Sequence, residues 1–479
     1  MARVVLISPC CRDVKGSTSL ALIIPPIGLT YLAAVLERNN HEVQIIDANL
    51  SNIRHEKIID HFIFKPDLVG LGVNLLTFKE ALNCARQIKF RYPDIPIVFG
   101  GPHASSQAQY ILEQNDVIDA IVIGEGEYTL LEIAESMSKK NIFEGVNGVI
   151  YKQDGSIIQN KPRPLIVNLD CLPYPAYHLL PPLRAYKTRS RAEPVGYIFT
   201  SRGCPSACTF CYRTFGTTWR PHTPRRVIDE ISYLVKTQGI KQIDILDDNF
   251  TFRSDRASEI LDLIIERNFK LKINLQSGIR IGRINEPLLR KMKKAGVFKI
   301  GFGVESGDEG ILKIIKKGIQ LKKVVDLTKE ARSLGIVTHA FYIIGFPEDT
   351  SETINRTIDF AIKLNTHFAS FSIYTPLPGT ELFEKIAREN KFLENVKDGI
   401  KEGFFSLKVI FAPDYLRPEE LAFLCKIAWK KFYMRPHKVL DVISTIGSAS
   451  ELCWLMRTVG EIMRTTRGKA KCLSRIGDA

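Results

Sequence analysis

No run in the sequence approaches the roughly 18 apolar residues that a membrane-spanning helix needs. The N-terminal apolar stretch, Arg3 to Ile7, is only strand length and is broken at Pro9. It therefore does not read as a signal peptide, and a cytoplasmic location is expected. Ten cysteines in 479 residues do not make a disulfide framework. Seven of them (Cys10, Cys11, Cys84, Cys171, Cys425, Cys453 and Cys472) are scattered, and most of these read as buried apolar fillers. There is no second Cys-x-x-Cys and no His pair at finger spacing, so a structural zinc site lacks its usual two ligand sets. Internal repeats beyond a βα rhythm and low-complexity segments are absent too.

With 45% hydrophobic and 25% charged residues, the composition is that of an ordinary globular protein. The length calls for two or three domains. A net charge of +14 permits anionic partners without selecting one.

Residues 1–145 alternate short apolar runs (Val4 to Ile7, Glu42 to Ile46, Leu68 to Val73, Pro96 to Phe99, Ala120 to Ile123) with amphipathic helical stretches. That rhythm predicts a doubly wound, Rossmann-like α/β sheet with its ligand at the carboxyl ends of the strands. Three strand ends carry turn chemistry suited to close backbone approach: Pro25-Pro26-Ile27-Gly28, Gly100-Gly101-Pro102-His103 and Gly124-Glu125-Gly126-Glu127. Residues 146–195 read as a hairpin turning at Asp154-Gly155, then a Pro-rich interdomain connector. Residues 196–385 resume the βα pattern with six strands, counting Tyr197 to Thr200, which gives a partial (β/α)6 TIM-like barrel. Residues 386–479 read as helical. There Val439, Val442, Ile446, Ala449, Leu452, Met456, Val459 and Met463 form one apolar stripe flanked by Arg457, Arg464 and Arg467. Packing of this stripe on the barrel is expected, with peripheral membrane contact as the alternative.

The most informative run is Cys204-Pro205-Ser206-Ala207-Cys208-Thr209-Phe210-Cys211. Three thiolates spaced this way on one short loop can take three corners of an iron-sulfur cube, leaving the fourth iron open for a substrate. The loop follows a strand, where α/β barrels place their chemistry. This spacing, with Phe210 just before the third Cys, resembles the signature of the radical S-adenosylmethionine superfamily. The resemblance implies a 4Fe-4S cluster on Cys204, Cys208 and Cys211. It also implies S-adenosylmethionine chelating the open iron and cleaved reductively to a 5'-deoxyadenosyl radical.

The same resemblance assigns the S-adenosylmethionine site. Asp247, Asp248 and Asn249 would contact its amino group, and Gln276, Arg280, Glu305 and Ser306 its ribose and carboxylate; Phe210 completes the signature, and Gly345 opens a Gly-x-Pro element near the adenine. For each carboxylate the competing reading is a helix cap. A doubly wound domain directly upstream resembles the cobalamin-dependent radical S-adenosylmethionine enzymes. It implies cobalamin against Pro26, Gly28, Gly100, Gly101, Pro102, His103, Gly124, Glu125 and Gly126. The Asp-x-His-x-x-Gly motif of many cobalamin proteins is absent, so a protein imidazole on cobalt is not expected, and His103 reads as a loop residue.

The leading expectation is a radical C-methyltransferase acting on an unactivated carbon of a biosynthetic intermediate. An oxidative cyclase of the anaerobic magnesium-protoporphyrin ester type is the nearest alternative. A tRNA methylthiotransferase would need further cysteines and an RNA-binding β-barrel, so a nucleic-acid partner is not expected. A corrinoid-binding or zinc-stabilised interaction module is the non-enzymatic alternative. A small-molecule or lipid-like substrate and an external one-electron reductant are the expected partners.

Overall fold

The computed structural model describes residues 1–11, 23–275, 279–393 and 409–453, together with Met456. Runs rich in Val, Ile and Leu form β1 (Arg3–Ser8), β2 (Glu42–Asp47), β3 (Leu68–Gly72), β4 (Ile97–Gly100) and β5 (Ala120–Val122). They pair in parallel in the order 2-1-3-4-5. Helices such as Ile27–Arg38 and Phe78–Arg91 separate them, and the strand interiors are buried, as a parallel sheet covered on both faces requires. This is the doubly wound architecture expected, and its strand order puts the ligand crevice at the carboxyl edge.

The expected hairpin forms as β6 (Val149–Gln153) and β7 (Ser156–Gln159). Asp154 (φ 50) and Gly155 (φ 76) supply the two left-handed positions of a tight hairpin turn. β6 pairs antiparallel with β5, so the hairpin extends the first sheet to seven strands.

The segment that follows is not a loose connector. Its prolines limit it to short 3-10 turns at Leu169–Cys171, Tyr177–Leu179 and Leu183–Ala185. Between them Leu169, Leu172, Ala176, Tyr177, Leu180, Leu183 and Tyr186 are buried in a core shared by both sheets. Ala176 N donates to Thr30 O at 3.0 Å, and Tyr186 Oη donates to Asp47 Oδ2 at 2.9 Å. The apolar residues between the prolines outweigh the linker-like composition, because each one fully buried contributes about 1.5–3 kcal/mol.

The second half holds β8 (Val195–Ile198), β9 (Ser201–Arg202), β10 (Arg220–Pro221), β11 (Gln242–Ile245), β12 (Lys272–Leu275), β13 (Val297–Glu305), β14 (Val337–Ile344) and β15 (Phe368–Ile373). β8 and β11 to β15 form one six-stranded parallel sheet in sequence order, which is the partial barrel expected. β9 and β10 form a separate antiparallel pair, Arg202 opposite Arg220, and pinch off the loop between them. The first barrel helix, Pro224–Gln238, shows the local code. Thr223 accepts from Arg226 N as N-cap, Pro224 takes the first turn, and Gly239 (φ 60) closes the helix in the left-handed region.

In the C-terminal region, helix Pro418–Tyr433 packs on β15. Leu421, Ala428 and Phe432 are buried there, and Trp429 Nε1 donates to Phe371 O at 3.0 Å. The single long stripe expected from Val439 to Met463 is interrupted. Helix Pro436–Ser444 ends, and Gly447 passes so close to Arg191 that a Cβ there would lie 2.4 Å from its Nη1. Ser448 Oγ and Ser450 Oγ then donate to Ser190 O and Thr188 O at 2.6 and 3.0 Å, tying the chain to the connector. Val442 is buried, whereas Val439, Leu452 and Met456 are exposed. Arg457, Val459, Met463, Arg464 and Arg467 lie outside the described residues. Among the described residues no helix is long and apolar enough to cross a membrane.

Candidate active site

The loop between β9 and β10 carries the three clustered cysteines. Gly203 enters it at φ +85, and a Cβ there would meet Thr218 O at 2.2 Å; only glycine fits. Cys204 N donates to Gly216 O at 3.2 Å, closing the loop on itself. Thr209 N donates to Ile315 O, and Thr209 O accepts from Leu382 N, pinning its far side to the barrel. The three thiols are unpaired by disulfides and lie near enough to influence one another electrostatically. Burial raises the Cys208 and Cys211 thiols, Cys211 to about 11. The neighbouring thiols add to this, and the Lys317 ammonium opposes it. Among the described residues no three His, Cys, Asp or Glu side chains converge on one point as ligands of a single ion would. Ligands of a cube each take a different corner, so the thiols fit a cluster without such convergence.

Two further features of the loop fit a bound group. Asn249 Nδ2 points at Cys204 Sγ, 3.9 Å away, while Asn249 Oδ1 and Thr209 Oγ1 are buried without a hydrogen-bond partner. Orphaned buried acceptors of this kind call for an occupant. Phe210 lies 5.5 Å from Phe346 between ring centroids, with Lys317 Nζ 5.9 Å from its own centroid.

The other residues expected to contact S-adenosylmethionine divide into two groups. Asp248 is exposed at the end of β11 and accepts from Gly203 N at 3.2 Å. Arg280 donates from Nη1 to Ser206 Oγ at 2.5 Å, so it reaches the loop. Glu305 follows a register shift in β13 and has φ 67, which aims its carboxylate at Lys317 Nζ, 2.7 Å away. Burial pulls the Lys317 ammonium down, but Glu305 and the thiols outweigh it and leave the lysine charged.

Against expectation, Asp247 is fully buried. It accepts from Thr200 N, Thr200 Oγ1 and Ser201 Oγ at 2.5 to 2.6 Å, so it locks the end of β8 to β11. Ser306 is also buried. Its Oγ faces Thr357 Oγ1 at 3.1 Å and accepts from Asp308 N. Gly345 (φ +88) is needed for packing, since a Cβ would meet Leu421 at 2.6 Å. Gln276 lies outside the described residues.

At the edge of the first sheet, Gly28 and Gly124 have nothing within 4 Å of an added Cβ, and both are exposed. Pro26 and Pro102 stand beside them, and Ile24 and Leu76 are left 41% exposed. This open, partly apolar rim fits a large flat ligand. Gly100 has only ordinary contacts with Val122. Gly101 (φ +102) is packed by its own fold: a Cβ would strike Val73 O at 2.6 Å, so this glycine lets the turn after β4 pass close to the end of β3. His103 is buried with its ring edge on Phe78, 4.9 Å between centroids. Gly126 meets Leu32. Glu125 turns away from the rim. It accepts from Arg202 Nη1, Arg220 Nη1 and Ile166 N at 2.8, 2.7 and 2.9 Å.

The first sheet and the cysteine loop come together at Gly379. Tyr212, next to Cys211, and Ser106, in the helix Pro102–Ser106, both lie within 3.6 Å of a Cβ added at Gly379. Lys317 and the Arg202 and Arg220 pair were not singled out from sequence. Arg202 could have been, from its position two residues before Cys204 in a strand end; Lys317 sits in no motif.

A doubly wound sheet whose ligand edge faces a three-thiol loop at the mouth of a partial barrel defines an iron-sulfur enzyme with a second cofactor domain. Residues 198–361 match the model of the radical SAM superfamily, and residues 16–134 that of the B12 binding domain. An uncharacterized methyltransferase of Pyrococcus horikoshii is 36% identical over 90% of this chain and 91% of its own length. The cytidylyl-2-hydroxyethylphosphonate methyltransferase of Streptomyces wedmorensis is 30% identical over 76% and 78%. Relatives named anaerobic magnesium-protoporphyrin IX monomethyl ester cyclase also match, among them one from Rubrivivax gelatinosus at 27% over 90% and 77%. The radical S-adenosylmethionine methyltransferase TsrM from Kitasatospora setae shares the fold, with TM-score 0.74 and 20% identity over 98% of this chain and 100% of that one. The chain belongs to the cobalamin-dependent radical S-adenosylmethionine enzymes. Its cofactors are those of that family: cobalamin, a 4Fe-4S cluster and S-adenosylmethionine.

Proposed function

We propose that this enzyme is a C-methyltransferase acting on an unactivated carbon of a biosynthetic intermediate. The carrying observation is that the cysteine loop and the first sheet approach one point: Tyr212, next to Cys211, and Ser106, in the helix that follows Gly101, both pack against Gly379. Cys204, Cys208 and Cys211 hold the cluster. Asp248 and Asn249 receive the amino group of S-adenosylmethionine; Arg280, bonded to Ser206, and Lys317, near Phe210, supply the positive charge for its carboxylate. Gly28 and Gly124 let the corrin ring lie against backbone, with Ile24 and Leu76 as its apolar bed. Bound there, these groups supply hydrogen abstraction from carbon and a transferable methyl group. An external one-electron reductant supplies the electron for cleavage of S-adenosylmethionine. A small molecule enters between rim and barrel mouth.

Oxidative cyclisation is the second reading, favoured by the cyclase-named relatives that share nearly the whole chain. One experiment separates the two. Protein reconstituted anaerobically with iron, sulfide and cobalamin is given S-adenosylmethionine and a reductant, and the products are followed. S-adenosylhomocysteine together with 5'-deoxyadenosine supports methylation, and 5'-deoxyadenosine without S-adenosylhomocysteine supports the cyclase. Protein that retains neither iron nor cobalamin would overturn both.

A further inference from the structure

Four charged side chains are buried where the two halves meet. Arg202 lies in β9, two residues before Cys204. Its Nη1 donates to Glu125 Oε1 at 2.8 Å and its Nη2 to Glu127 Oε1 at 2.6 Å. Its guanidinium also sits 5.1 Å from the ring centroids of both Tyr31 and Phe215. Arg220, paired with Arg202 across β9 and β10, donates to the other oxygen of Glu125 at 2.7 Å. The four side chains are only 3–6% exposed. Two guanidinium and two carboxylate charges cancel, and each is hydrogen-bonded. Breaking such a set by removing one partner costs about 3–5 kcal/mol, whereas an apolar replacement of the whole set is often neutral. Stability alone therefore gives little reason to bury it.

The identity of the partners supplies another reason. Glu125 and Glu127 flank Gly126 and follow Gly124, one of the two open glycines of the rim. Tyr31 belongs to helix Ile27–Arg38, which begins one residue before the other, Gly28. Phe215 belongs to the cysteine loop. One side chain is thus held by both rim turns and by the loop it introduces, and Gly203 leaves no slack between it and Cys204 because its Cβ space is filled by Thr218 O.

We propose that Arg202 is a positioning residue that fixes the separation of the corrin and the cluster, with Glu125 and Glu127 as its clamps. This rests on the cofactor placement of the preceding section. A planar, two-pronged guanidinium fixes direction as well as distance, which an ammonium does not. A displacement of about 1 Å between reacting groups can cost on the order of a hundredfold in rate.

The test uses full-length protein reconstituted with both cofactors, comparing wild type with Arg202→Lys and Glu127→Gln. Iron and cobalamin content are measured first. The distance between the cob(II)alamin and reduced-cluster spins is then read by pulsed electron paramagnetic resonance, and the ratio of S-adenosylhomocysteine to 5'-deoxyadenosine is followed under turnover. Expected in both variants are retained iron and cobalamin, a shifted or broadened spin–spin distance, and a ratio lower by roughly ten- to a hundredfold. An unchanged distance distribution and ratio in either fully loaded variant overturns the proposal. If Arg202→Lys does not fold, Glu127→Gln decides alone, since it removes one clamp charge and leaves Arg202, Glu125 and Arg220 in place. Wild-type protein lacking either cofactor would instead overturn the underlying placement.

Discussion

The cysteine loop and the rim of the first sheet hold their ligands by different means. The loop offers side-chain donors of a rare type at fixed spacing, and every turn around them is rigid: Gly203 is wedged on Thr218 O, and Thr209 is bonded on both sides of its peptide. The rim offers shape. Its useful positions are two glycines with nothing above them and two exposed apolar residues. A site made of ligating atoms fails when one atom is removed; a site made of empty space fails when something is added.

The largest expected effect follows on the loop. Replacing Cys204, Cys208 or Cys211 by Ala leaves two thiolates for a cube that needs three. Iron content and reductive cleavage of S-adenosylmethionine should fall below detection. Cys84→Ala, deep in the first core, should leave both intact; cleavage surviving in Cys208→Ala would remove the ligand assignment.

On the rim, addition is the probe. Gly124→Ala places a methyl group where nothing lies within 4 Å. Gly124 has φ +78, so the alanine also bears a left-handed strain of about 1 kcal/mol. The protein should fold and bind iron while cobalamin occupancy falls several-fold. Gly28→Ala repeats the test without that strain, since Gly28 is not among the positive-φ glycines. Gly101→Ala sharpens the contrast: with Val73 O at 2.6 Å it should lower soluble yield and thermal stability. Full cobalamin occupancy in both Gly28→Ala and Gly124→Ala would move the corrin elsewhere.

This contrast also decides what the sequence could tell. Both sheets, their strand spans and the cysteine loop were readable, because burial on both faces writes unbroken Val, Ile and Leu runs and because three thiols at one spacing have few structural uses. Glycines are ambiguous in the same text. Gly101 and Gly124 look equivalent in sequence, yet one crosses a neighbouring strand end and the other faces open space. Acidic residues are ambiguous for a related reason: Asp247 and Asp248 are adjacent in the turn after β11, but the first is buried against Thr200 and Ser201 while the second accepts from Gly203 N at the start of the loop. The connector misled by composition, since the four prolines between Leu169 and Tyr186 conceal seven buried apolar residues. Lys317 and Arg220 meet their partners only through tertiary contacts, so no local pattern could announce them.

A smaller effect is expected at Lys317. Its ammonium is paired with Glu305 and sits over Phe210. Lys317→Met keeps much of the packing volume and removes the charge. A carboxylate deprived of one charge-assisted hydrogen bond loses about 1.5–3 kcal/mol, so the KM for S-adenosylmethionine should rise roughly tenfold or more while iron content stays unchanged. Loss of iron without a change in KM would make Lys317 a neighbour of the cluster rather than of its substrate.

The smallest effect concerns the seam behind the rim, where Glu230 is buried beside Arg226, 2.8 Å away. Burial pushes the Glu230 carboxyl up to about 7, more than the Arg226 charge and hydrogen bond can offset. The folded state thus holds this proton more tightly than the unfolded chain, whose carboxyl titrates near 4.3. The resulting stability is fully present below about pH 4.3 and is lost as pH rises through about 7. Glu230→Gln cannot lose a proton, so its stability should be higher relative to wild type at pH 8 than at pH 5.5, by on the order of 2 kcal/mol. Denaturant midpoints of the two proteins at both pH values measure the difference. The rim and the loop have no titrating part in this, so cobalamin and iron occupancy should be the same in both proteins. A difference that is equal at the two pH values would mean that Arg226 keeps Glu230 ionised throughout, and that the seam is held by an ion pair rather than by a proton.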